Sequence, residues 1–100
     1  MLRISTLEAH NERRLVLEGK LIAPWTTELR SECERARHNL KGRELIADLK
    51  NLTVISQEGE DLLVALMNEG VKFRGCGVFT RQLLRELARR CRKKVRELPA

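Results

Sequence analysis

The chain has 100 residues, 42% of them hydrophobic and 34% charged, enough for one domain with a single core and too few for two. Its aromatic residues are Trp25, Phe73 and Phe79 alone, which argues against a sheet that stacks nucleic-acid bases, and no apolar run approaches the roughly 18 residues of a membrane span. The formal charge of +6 is concentrated at one end: Arg81 to Glu97 holds eight bases against two acids, leaving twelve of each elsewhere, so the body is neutral and the tail helix carries the excess.

Leu2 to Leu7 alternates apolar and polar as a short strand. A polar turn over Glu8 to Glu12 follows, then a second strand over Arg13 to Leu21 with Leu15, Val16 and Leu17 before Gly19, so the pair reads as a hairpin. Pro24 suits the first turn of a helix whose apolar face recurs at Trp25, Leu29, Cys33, Ala36 and Leu40. Gly42 is its candidate C-terminal cap. Glu44 to Leu49 is a nearly continuous apolar run that suggests a strand buried on both faces. Asp48 stands at or near its end, where a carboxylate caps local backbone N–H groups.

Ser56 or Gln57 opens the second helix, with Ser56 the better cap by residue type. Its apolar face is Leu62, Leu63, Leu66 and Met67, and it ends at Gly70. Glu58, Glu60 and Asp61 crowd its first turn, where the helix dipole favours negative charge. Val71 to Phe73 is a last short strand. From Thr80, a candidate cap, a third helix runs to about residue 96 with Leu83, Leu84, Leu87, Ala88, Cys91 and Val95 as its stripe. The order ββαβαβα with short connections predicts an α/β single domain over 1–100, a four-stranded mixed sheet packed against three helices with right-handed crossovers.

Several chemistries lack their residues. The glycines near Gly75 do not have the spacing of a phosphate loop. His10 and His38 have no partner at metal-ligand spacing, so no metal and no cofactor is expected. Cys33, Cys76 and Cys91 are odd in number and unpaired in spacing; with no signal-like start, they read as thiols of a reduced cytoplasmic chain. Cys33 and Cys91 fall on apolar helix faces and Cys76 between two glycines near the surface. No catalytic residues are assigned, and a non-enzymatic role is expected.

Asp48-Leu49-Lys50, Leu52-Thr53-Val54-Ile55 and Ser56-Gln57-Glu58-Gly59 together have a familiar form. The chain resembles the STAS domains, the bacterial anti-sigma factor antagonists, in which a strand ending Asp-Leu-Ser and a hydrophobic loop lead to Asp-Ser-Ser-Gly at a helix start. The likeness extends to Leu17-Glu18-Gly19, the Trp25 helix start, Leu62-Leu63, and Gly77 to Leu84. In the signalling members the second serine is phosphorylated by an anti-sigma factor that is also a kinase. Phosphate adds about −1.5 to −2 charge at the centre of a contact surface. That position here is Glu58, which has no hydroxyl, and the preceding aspartate and serine are Ser56 and Gln57. Family members often continue with a further strand and helix, for which this chain shows no pattern.

What the resemblance implies is a regulatory module without the usual phosphorylation switch. It would dock a protein partner, of the anti-sigma kinase type or a relative, through Asp48, Val54, Ile55, Ser56, Gln57, Glu58, Gly59 and Glu60. Glu58 then has three readings: a complement to the helix dipole, a permanent mimic of the phosphorylated state, or a partner-specific contact. Ser56 and Thr53 are the remaining nearby hydroxyls. The alternative function is nucleic-acid or anionic-membrane binding by the basic C-terminal helix, and a homodimer through a sheet edge or that helix is a third option.

Overall fold

The structure is a computed structural model that describes residues 1–75 and 77–96, with side chains through Cys91. Readings that fall on Cys76, Val95, Arg92, Lys93, Lys94, Arg96 and Glu97 lie outside the described residues or side chains. The elements are β1 Leu2–Glu8, β2 Glu12–Leu21, α1 Trp25–Ala36, β3 Glu44–Ile55, α2 Gln57–Asn68, β4 Lys72–Arg74 and α3 Val78–Arg96.

The strands form one mixed sheet in the order β1-β2-β3-β4. The hairpin pairs antiparallel, Leu2 against Gly19 and Glu8 against Arg13, whereas β2 pairs parallel with β3 and β3 parallel with β4. This is the expected four-stranded mixed sheet with three helices. The core joins Leu15, Leu17 and Leu21 of β2 and Leu45, Ala47, Leu49 and Leu52 of β3 to Leu29 and Cys33 of α1, Leu63 and Leu66 of α2, and Leu83 and Leu87 of α3. All three helices therefore lie on one face. Arg14, Val16, Ile46 and Asp48 point the other way, because side chains alternate along a strand.

The last strand lies one residue later than the sequence reading has it, at Lys72–Arg74 rather than Val71 to Phe73, and three boundaries differ by more. The third strand runs to Ile55 rather than ending at Leu49. Two shifts in its register with β2, between Val16 and Glu18 and between Gly19 and Lys20, insert residues that break the two-residue period. Inward positions consequently fall at Leu49, Leu52 and Ile55, a spacing of three that conceals a strand. Asp48 lies in mid-strand as a result.

The first helix stops at Ala36, with Arg37 as its cap residue. Leu40 packs on the core from the following loop, where Asn39, Lys41 and Gly42 all have positive φ. Gly42 is thus part of that loop and not the helix cap. The last helix starts at Val78, two residues before Thr80. Arg81 N–H bonds to Gly77 O at 3.0 Å, closing a turn that already includes Thr80, which is buried.

Candidate functional site

The β3–α2 junction is fastened to the end of β2 by a compact set of hydrogen bonds. Ser56 N–H donates to Leu21 O at 3.1 Å, and the Ser56 hydroxyl lies 3.4 Å from the same carbonyl. Ser56 Oγ accepts from Gly59 N–H at 3.1 Å, satisfying one of the helix's unpaired donors. Ser56 is therefore the cap, as its residue type suggests. Three residues earlier, within β3, Thr53 Oγ1 donates to Gly19 O at 3.0 Å.

Gly59 is buried beneath this junction. A Cβ there would overlap Leu21 O and lie 3.0 Å from Leu21 Cγ and 3.1 Å from Ile55 Cγ2. The bare backbone lets the helix start close directly onto the end of β2, so Gly59 serves packing rather than an outside contact. Ile55 is half-buried against the core, while Val54 stands outward at 44% exposure.

The three acids of the first turn have different surroundings. Arg90 of α3 reaches back so that Nη1 donates to Glu60 Oε1 at 3.1 Å and Nη2 to Asp61 Oδ1 at 2.6 Å. Gln57 Nε2 adds a bond of 3.0 Å to Asp61 Oδ1. Arg90, and then Gln57, hold the Asp61 carboxyl below its usual range, and the bonds to Asp61 and then Glu60 raise the Arg90 guanidinium. Glu60, expected as an exposed contact, is half-buried in this ion pair. Glu58 is exposed, and among the described residues it has no ion-pair partner.

Asp48 stands apart from this surface. It is only 4% exposed, accepts Lys50 N–H at 3.1 Å and lies 3.5 Å from Arg14 Nη1. The local capping role is observed, and its carboxylate lies seven residues, about 23 Å of extended strand, before Ile55. The exposed group at the helix start is thus Val54, Gln57 and Glu58, with Ser56, Ile55, Gly59 and Glu60 supporting it from below.

The residue that sequence reading missed is Arg90. It is 29 positions from Asp61, and no local spacing rule links them. The acidic turn was visible, but its partner lay among eight similar bases. Among the described residues no group of three potential metal-ligating side chains converges. Cys33 is buried against the core, which pushes its thiol up to about 11.

The order, register and helix placement can be set beside solved structures. The anti-sigma factor antagonist SpoIIAA in its unphosphorylated form superposes with a TM-score of 0.62 over 98% of this chain and 100% of that one, at 13% identity. The chain has a STAS-like fold. A protein of the DUF3478 family with a SpoIIAA-like fold, from Shewanella loihica PV-4, matches with a TM-score of 0.53 over 79% of this chain and 71% of that one, at 18% identity. No family model and no curated protein matches the sequence. The STAS-like architecture accounts for the position of the site: a parallel strand delivers the chain to the start of α2 at the carboxyl end of the sheet, where helix N–H groups and connecting segments are exposed.

Proposed function

We propose that this chain is a non-enzymatic regulatory module that docks a protein partner through the outer surface of the β3–α2 junction, with Glu58 at its centre. The observation that carries the reading is the unequal treatment of the acids. Glu60 and Asp61 are taken up by Arg90, whereas Glu58 stands exposed beside Gln57 and Val54. A carboxylate next to an exposed apolar side chain suits a partner that presents a base beside a small apolar surface. Ile55 and Ser56 set the height of that surface, and Gly59 and Glu60 fix α2 beneath it.

The fold likeness to an anti-sigma factor antagonist supports a regulatory protein partner, and the resemblance in the sequence suggests one of the anti-sigma kinase type. Glu58 holds a permanent negative charge at the position the resemblance assigns to phosphoserine, so the interaction would not be switched there by phosphorylation. Ser56 is a poor substitute acceptor, because its oxygen is already bonded to Gly59 N–H and near Leu21 O. The test is binding of the native chain and of Glu58→Ser to purified anti-sigma kinases from the native host, with phosphorylation followed by mass spectrometry. Binding by the native chain, with phosphate entering only the serine variant, supports the proposal. Failure of both chains to bind, with no phosphorylation of the variant, overturns it.

A further inference from the structure

The start of α3 has a different chemistry from the start of α2. From Val71 to Arg85 the chain contains four cations, Lys72, Arg74, Arg81 and Arg85, and no acid. Within that stretch Val78 is 74% exposed and Phe79 49%, although the adjoining Thr80 is only 2% exposed. Leu83 and Leu87 supply the inward stripe of the helix, so the core does not require either outer side chain.

Gly77 shapes the corner. Its φ of +95° lies in the left-handed region, and this turns the chain from β4 into α3. Val78, Arg81 and Arg85 then follow at steps of three and four, along one side of the helix. The ion pairs of α3 among the described residues are made by Arg89 with Glu86 and by Arg90 with Glu60 and Asp61. Arg81 and Arg85 are exposed without such a partner among the described residues, and Arg74 is exposed at the end of β4.

We propose that this corner docks the protein on an anionic lipid surface, with Val78 and Phe79 entering the headgroup layer and Arg74, Arg81 and Arg85 meeting lipid phosphates. Two adjacent exposed apolar side chains gain from leaving water at a bilayer interface, and the neighbouring cations gain from the negative surface potential. A nucleic-acid backbone would use the cations and leave the apolar pair without a role. The attachment is interfacial, since no helix among the described residues is long and apolar enough to cross a membrane.

The experiment is flotation of the full chain with vesicles of phosphatidylcholine alone or of phosphatidylcholine with phosphatidylglycerol. The parent is expected to float with the anionic vesicles alone and to release as salt rises. Removing one cation, by Arg81→Gln or Arg85→Gln, should weaken partition about fivefold. The pair Val78→Ser with Phe79→Ser should weaken it about tenfold, with folding checked by circular dichroism. The proposal is overturned if the parent does not bind anionic vesicles at low salt. It also fails if binding survives both sets of substitutions, which would assign it to the bases beyond Cys91, or if duplex DNA competes fully and the serine pair changes nothing.

Discussion

Arg90 of α3 donates to Asp61 of α2 at 2.6 Å and, through its other terminal nitrogen, reaches Glu60 at 3.1 Å. One guanidinium thus joins the last helix to the first turn of the helix that carries the candidate site. Two of the three acids at that turn are engaged within the molecule, and the third, Glu58, is exposed with no ion-pair partner among the described residues.

Replacing Arg90 with Gln should loosen α3 and leave two acids uncompensated. The direction of the Asp61 shift fixes the pH behaviour: a depressed carboxyl contributes stability above its ordinary value of 3.8 and loses it as pH falls through its folded value. Thermal unfolding followed from neutral pH into acid should therefore show a smaller fall in the Arg90→Gln variant than in the parent over the window below 3.8. Equal falls would mean that the contact does not form in solution.

Gly59→Ala should destabilise the domain by about 1–3 kcal/mol, the usual cost of inserting a methyl group into a packed site. The gain in helix propensity, about 1 kcal/mol in the opposite direction, is already smaller than the clash with Leu21 O. Urea unfolding measures the difference, and a variant as stable as the parent would show that α2 can shift away from β2 at little cost.

Ser56→Ala removes the side-chain acceptor for Gly59 N–H and should cost about 1 kcal/mol, whereas Ser56→Asp should restore most of it. Amide hydrogen exchange at Gly59 and Glu60 reports the fraying directly. Unchanged protection in the alanine variant would show that the cap is dispensable.

Cys33 should resist alkylation in the folded protein at mildly alkaline pH and react on unfolding, as read by peptide mass mapping. Burial raises the thiol from its ordinary 9.0 to about 11. Its contribution to stability is therefore complete below 9.0 and is lost as pH rises through about 11. Rapid labelling of the native chain at Cys33 would contradict its place in the core.

Much of this fold was legible because its elements carry their own periods. Leu29 and Cys33 mark the inner face of α1, Leu63 and Leu66 that of α2, and Leu83 and Leu87 that of α3, each at helical spacing. The second half of β3 was hidden for a physical reason: two register shifts put its inward residues three apart. Ser56 as a cap followed from residue type and position. The burial of Asp48 and the engagement of Glu60 did not, since both depend on arginines brought in by tertiary structure, Arg14 from a neighbouring strand and Arg90 from another helix.

The central claim is that Glu58 meets a partner's base at an exposed helix start. Its most direct measurement is the affinity of an anti-sigma kinase from the native host for the parent chain, for Glu58→Lys and for Glu86→Lys as a charge-matched control on α3. Reversal at Glu58 should weaken binding by about tenfold or more, with the control close to the parent. Equal affinities for the parent and Glu58→Lys would contradict the claim.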